Sequence, residues 1–157
     1  MKAWEGKRFA VEVDGNVEIA RTPPAVAIVP VDADGRIVLV RQQRPAAGRP
    51  LLELPAGLVD DGEEPLASAQ RELREETGLH GGTWRELAAF WSSPGFTDEY
   101  VTVFAAEGLE EGEPQLDEGE EIGVERWTVS EVEARLAELE DATTLVGLLF
   151  FLRERRG

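Results

Sequence analysis

Apolar positions come first in short, strand-like blocks and only later at helical spacing. Lys7 to Val13 and Val17 to Ala20 read as two strands joined at Asp14-Gly15-Asn16, a turn sequence suited to positive φ, and so predict a hairpin. Ala25 to Val31 and Ile37 to Arg41 are nearly continuous apolar runs flanking the turn DADGR, the pattern of buried strands, with Pro30 expected to keep the first short or at an edge. Leu51 to Leu54 is a further strand, followed by the loop PAGLVDDGEE.

The period then changes. Leu66, Ala69, Leu73 and Thr77 share one face of a helix predicted from Pro65 to Thr77, with Pro65 suited to its first turn and Gly78 to the residue just past its end. Trp84 to Trp91 and Tyr100 to Ala106 return to strand character around the loop SSPGFTDE, Ser92 to Glu99. An acidic loop from Glu107 to Glu121, carrying eight carboxylates, leads to a strand over Ile122 to Thr128. Ser130 with Glu133 predicts a capping box opening a helix through Leu139, and Thr143 to Arg155 a final helix with Arg153, Arg155 and Arg156 at its cation-favouring end. Strands, a helix, strands and then helices imply an α/β fold in which helices cover both faces of a mixed sheet.

Composition narrows this picture. The chain has 157 residues, 42% of them hydrophobic, with no low-complexity run, internal repeat or linker, which predicts a single domain over 1–157. With no cysteine there is no disulfide framework, thiolate metal site or cysteine nucleophile. The N-terminus lacks the pattern of a secretory signal, and the longest apolar run, Leu145 to Leu152, falls short of the roughly 20 residues of a membrane span, so a cytoplasmic protein with no membrane partner is expected. A net charge of −16 makes DNA or RNA a poor partner. It would repel a small phosphorylated ligand as well, unless cations or a local arginine invert the field in one cleft.

One stretch of the long helix bears on that condition. In RELREETG, Glu72, Glu75 and Glu76 stand three and four residues apart and project into one arc of about 100°. As structure alone this is unfavourable, by about 0.2–0.5 kcal/mol per like-charged pair, and the last helical turn prefers cations. The bland reading is a solvated acidic face. The chemical reading is a site for a hard cation such as Mg²⁺, which binds through a few carboxylates, waters and substrate phosphates.

Spacing then completes a motif. Gly57, five residues, Glu63, seven residues, Arg71-Glu72-Leu73, one residue, Glu75-Glu76, one residue, and Gly78-Leu79 place nine matching positions in 23 residues, and the segment resembles the signature of the Nudix hydrolases without a departure. The resemblance implies a Nudix-type α/β/α sandwich and hydrolysis of a nucleoside diphosphate linked to another group, with Mg²⁺, or Mn²⁺, as cofactor. It implies Glu72, Glu75, Glu76 and the Ala56 carbonyl as metal ligands, Arg71 as the ion-pairing support of the glutamates, Gly57 and Gly78 at backbone turns, and Glu63 as a buried support.

VRQQRP (Val40 to Pro45), LLELPAG (Leu51 to Gly57), SSPGFTDE and DATTLVGLL extend a looser likeness to the ADP-ribose pyrophosphatase branch of that family. This implies Arg44 and Glu99 as substrate contacts, with Gly95 and Phe96 beside them, and a catalytic glutamate among Glu118, Glu120 and Glu121. The substrate implied is ADP-ribose or a related ADP-sugar. GDP-sugars, NADH, dinucleoside polyphosphates and a catalytically silent nucleotide-binding domain stand as alternatives. The branch also implies a homodimer, for which residues 1–24 are the candidate segment, although longer N-terminal sheets are usual there. Trp4 is open to three roles: stacking on a base, on the neighbouring strand or on a second subunit. His80 is expected at the surface, without a catalytic role.

Overall fold

The computed structural model describes residues 1–116 and 121–157. Among these, ten strands and three α-helices run in the order β1 (Lys2–Glu5), β2 (Ala10–Asp14), β3 (Val17–Arg21), β4 (Ala25–Pro30), β5 (Ile37–Arg44), β6 (Arg49–Glu53), β7 (Ala56–Leu58), α1 (Pro65–Thr77), β8 (His80–Trp91), β9 (Tyr100–Glu110), β10 (Ile122–Trp127), α2 (Val129–Arg135) and α3 (Ala142–Arg156).

The central sheet is mixed, in the order β7-β4-β9-β8, with β4 parallel to β9 and the other pairs antiparallel. Strand β4 shows how the layers are built. Ala27 and Val29 share a buried cluster with Leu148 and Phe151 of α3, whereas Val26 and Ile28 share another with Ala69 and Leu73 of α1. The alternation of side chains along a strand thus sends successive residues to opposite helices, giving the α/β/α sandwich. Helix α3 comes close at Gly147, where an added Cβ would lie 2.7 Å from Leu54 and 3.1 Å from Val103. A second sheet, β10-β5-β6, contributes Ile37, Leu39, Leu52 and Trp127 to the α3-side cluster.

Several boundaries differ from the sequence reading. Strand β4 ends at Pro30, in keeping with the short strand expected, but it lies inside the sheet and not at an edge. Ile28 donates to the Pro55 carbonyl and Val31 to that of Ala106, so alternate N–H groups face opposite neighbours. Pro30 shares the direction of Ile28, toward the side where pairing with β7 has ended at Ala27. Its missing N–H therefore costs no ladder bond. Strand β7 lies in what read as loop, β9 continues to Glu110 into the expected acidic loop, and Leu66 is 39% exposed instead of packed on the sheet. The capping box is formed by Thr128 with Glu131, not by Ser130 with Glu133, because α2 starts directly after buried Trp127. Helix α1 matches its expected span, with Gly78 left-handed at φ 79° beyond its end.

The N-terminal segment forms a three-stranded antiparallel sheet, β1-β2-β3, one strand more than expected. Its tip is a two-residue turn, with Asp14 opposite Val17 and Gly15 at φ 61°. Trp4 packs on Phe9, ring centroids 5.1 Å apart, while remaining 52% exposed.

Candidate active site

Helix α1, the strand-and-loop segment before it, the β5–β6 pair and the N-terminal sheet enclose a cleft of about 900 Å³. Its lining brings together Arg44, Ala56, Gly57, Arg71, Glu72, Glu75, Glu76 and Glu99, residues spread over more than fifty positions of the chain. Gly95 and Phe96 do not line it; both are exposed at the tip of the 92–99 loop. Glu118 and Glu120 lie outside the described residues. Glu121 is exposed and outside the lining, directly before Ile122, which pairs with the lining residue Gln42. His80 is partly exposed, its Nδ1 3.2 Å from the Gly78 carbonyl, away from the lining.

Arg71 is the hub of the carboxylates. Its Nη1 donates to Glu72 Oε1 at 2.8 Å and Glu75 Oε2 at 3.2 Å. Nε and Nη2 donate to Glu63 at 3.2 and 3.1 Å, and Nη2 also to the Leu58 carbonyl at 3.2 Å. Glu63 accepts from Ser68 Oγ as well, and the Arg71 guanidinium together with that hydroxyl lowers its pKa to about 2. Arg71 is itself raised above its ordinary value, chiefly by the bond to Glu63. Burial pushes the Glu72 carboxyl up, against the pull of Arg71. Glu76 is buried, and the Ala56 N–H donates to its Oε2 at 3.3 Å.

Two glycines make room for this arrangement. A Cβ on Gly57 would stand 2.0 Å from the Glu72 carboxyl carbon, so the carboxylate lies against the backbone of strand β7. A Cβ on Gly78 would meet the Gly112 carbonyl oxygen at 2.0 Å. The acidic loop crosses the end of α1 there, and Gln115 N–H donates to the Glu75 carbonyl at 2.8 Å, satisfying one of the helix's last carbonyls.

Sequence reasoning missed Glu53, a lining residue only 3% exposed. Arg44 clamps it through Nε at 2.8 Å and Nη2 at 2.6 Å, a bidentate pair that raises the arginine's pKa. The available signal was a carboxylate inside the apolar run LLEL, where a charge requires a partner. Arg8, Phe9 and Thr22 of the N-terminal segment, and Asp141 and Thr143 beside the start of α3, were also missed as parts of the lining.

Seven carboxylates (Glu53, Asp60, Glu72, Glu75, Glu76, Glu99 and Asp141) face three arginines (Arg8, Arg44 and Arg71) in this lining, an excess of four negative charges. Among the described residues, no three acidic or histidine side chains are gathered closely enough to hold an ion in the arrangement shown, in which Arg71 engages Glu72 and Glu75. The donors available are oxygens, and their surplus charge fits a hard divalent cation.

The chain belongs to the NUDIX domain family, whose model matches residues 21–146. It is 41% identical over 139 residues to an ADP-ribose pyrophosphatase of Bacillus subtilis (strain 168), covering 85% of this chain and 74% of that protein. Identity to an ADP-ribose pyrophosphatase of Mycobacterium tuberculosis is 43% over 130 residues, 80% of this chain and 63% of the relative. The crystal structure of an ADP compounds hydrolase shares the fold, with a TM-score of 0.84 over 100% of this chain and 91% of its own, at 24% identity.

Proposed function

We propose that this protein is a pyrophosphatase that hydrolyses ADP-ribose or a related ADP-sugar to AMP and a sugar phosphate, with Mg²⁺ as cofactor and Mn²⁺ as a substitute. The observation that carries the reading is convergence. The signature glutamates on α1, Arg44 on β5 and Glu99 before β9 face one cleft, in a chain at least 41% identical to two ADP-ribose pyrophosphatases. Water adds across the pyrophosphate; one P–O bond forms and the bridging P–O bond breaks, leaving one phosphate on each product.

Glu72, Glu75, Glu76 and the Ala56 carbonyl would hold the cation. Bound there, it supplies charge neutralisation for the phosphate oxygens and a more acidic water. The protein's own groups do the rest. Arg71, held by Glu63, keeps Glu72 and Glu75 beside the cleft. Glu53 takes Nε and Nη2 of Arg44, which leaves Nη1 to reach substrate oxygen. Glu99 accepts from a ribose hydroxyl, whereas Gly95 and Phe96, which lie outside the lining, take no part in this contact. A carboxylate of the late acidic loop, Glu118, Glu120 or Glu121, takes the proton of the attacking water.

The reading includes one domain over 1–157 that pairs as a homodimer through residues 1–24. Supporting the pairing, Trp4, Phe9 and Val17 are 52%, 43% and 55% exposed on or beside the N-terminal sheet. A cytoplasmic site of action is part of the same reading, since the cysteine-free chain forgoes the disulfides common in small extracellular domains. No described helix is long and apolar enough to cross a membrane.

The test is AMP release from ADP-ribose with Mg²⁺ and with EDTA, beside GDP-mannose, NADH, diadenosine polyphosphates and a nucleoside triphosphate at equal concentration. Metal-dependent release that favours ADP-ribose is expected. Preference for another compound would discard the Arg44 and Glu99 assignments, and inactivity on every compound would overturn the enzymatic reading.

A further inference from the structure

Glu99 enters the cleft from an eight-residue loop, Ser92 to Glu99, and a loop of that length needs something to fix it. Part of the restraint is internal. Ser92 N–H donates to the Glu99 carbonyl at 3.1 Å, Thr97 N–H to that of Ser93 at 3.1 Å, and Glu99 N–H to Thr97 Oγ1 at 3.2 Å. These bonds shape the loop without tying it to the rest of the molecule.

The tie runs to three consecutive residues at the end of β3. Ala20 N–H donates to the Phe96 carbonyl at 2.7 Å, and the Ala20 carbonyl accepts from Asp98 N–H at 3.3 Å and Thr97 Oγ1 at 2.9 Å. Asp98 closes the junction with both carboxylate oxygens: Oδ1 accepts from Thr22 N–H at 2.8 Å and Oδ2 from Arg21 Nη1 at 3.2 Å. Arg21 in turn donates through Nε to Glu12 of β2 at 2.8 Å. The same sheet and its flanks bring Arg8, Phe9 and Thr22 into the cleft lining.

We infer that Asp98 is a positioning residue that fastens the Glu99 loop to the N-terminal sheet and so makes that sheet a working wall of the substrate cleft. This rests on the proposed function for its catalytic readout. Asp98 does not line the cleft, so it acts through Glu99: its loss weakens binding of the sugar end and spares the chemical step. Its charge-assisted bond to a backbone N–H is the stronger part of the junction, because the ion pair with Arg21 lies between side chains 32% and 44% exposed.

The experiment compares wild type, Asp98→Ala, Arg21→Ala, Glu99→Gln and the Asp98→Ala/Glu99→Gln double variant, by ADP-ribose kinetics and by hydrogen exchange of the 92–99 segment. Asp98→Ala is expected to raise KM about tenfold with kcat within about twofold, and Arg21→Ala to do the same to a smaller extent. The double variant should have the KM of Glu99→Gln, since two residues acting through one contact are not additive. Exchange across 92–99 should quicken in Asp98→Ala. If Asp98→Ala does not fold, Asp98→Asn keeps an acceptor for Thr22 N–H and should lie between wild type and Arg21→Ala. Unchanged exchange in Asp98→Ala overturns the inference whatever the substrate proves to be, as do KM effects that multiply in the double variant. A wild type that ignores ADP-ribose while exchange still responds would instead refute the substrate reading.

Discussion

Replacing Gly57 with alanine should separate activity from stability. The φ of Gly57 is not in the left-handed region, so a methyl group brings no backbone strain. The strain is local: the new Cβ would stand 2.0 Å from Glu72 Cδ, 2.2 Å from Oε1 and 2.4 Å from Oε2. Contacts of Cβ atoms below 3.0 Å are essentially never seen, so the carboxylate must withdraw by at least 1 Å. It is the far end of a flexible side chain, and withdrawal costs little beyond part of its 2.8 Å bond to Arg71. Unfolding free energy should therefore fall by no more than about 1 kcal/mol, or roughly 2–4 °C in Tm for a chain of this size.

Catalysis is less forgiving, because a reacting group displaced by about 1 Å can lower rate about 100-fold. The expected result is a loss of about two orders of magnitude in kcat/KM for ADP-ribose with a nearly unchanged melting curve, and a steeper dependence of rate on Mg²⁺ concentration. A Gly57→Ala protein with wild-type kcat/KM would refute the reasoning, since Glu72 would then be shown to work from somewhere other than the strand it lies against. A large loss of Tm would refute it differently, by showing that the carboxylate cannot move.

Four further outcomes test other parts of the site. Glu76→Gln keeps shape but removes a charge proposed to neutralise the cation, and should lower kcat by orders of magnitude in steady-state assays while circular dichroism stays native. Glu53→Gln leaves Arg44 without its bidentate partner; with Glu53 almost wholly buried and Arg44 about a third exposed, about 1–3 kcal/mol of stability should be lost by denaturant titration and KM should rise. Glu63 has a pKa depressed to about 2 from 4.5, so its stabilising contribution is complete above the unfolded value and disappears as pH falls from about 4.5 toward 2; Glu63→Gln should flatten that acid limb of the Tm profile. Leu73→Ala empties a fully buried position under the central sheet and should cost about 2–5 kcal/mol in the same titration.

What the sequence revealed depended on how local the cause was. Helix α1 was legible to the residue because proline and glycine punctuate it and its apolar face repeats within a few turns. Strand β1 was not, because every residue in it is exposed and it exists by pairing with β2. Strand β7 is three residues in a segment rich in turn formers, and only the neighbouring edge of β4 makes it a strand. At the site, the arc of glutamates followed from spacing on one helix. The pairing of Arg44 with Glu53 did not, since the β5–β6 register sets Arg44 opposite Arg49 and Glu53 opposite Val40, four positions apart, and the two side chains meet by reaching along the strands. The junction of loop 92–99 with β3 joins positions more than seventy apart, beyond any periodicity.

The arginine inventory also bears on why a protein of net charge −16 would take a diphosphate. Arg71 sits in the lining, yet its bonds run to Glu63, Glu72, Glu75 and the Leu58 carbonyl, so it serves as a strut among carboxylates. Half of the polar edge of Arg44 is committed to Glu53. With four surplus negative charges in the lining, a phosphate placed about 4 Å from one unneutralised carboxylate meets a repulsion of about 4 kcal/mol at an effective dielectric constant near 20. The remaining donors of Arg44 and Arg8 do not offset several such terms. Metal dependence in the proposed reaction therefore follows from the charges of this cleft as well as from its family, because a cation has to offset these carboxylates for a diphosphate to be held among them.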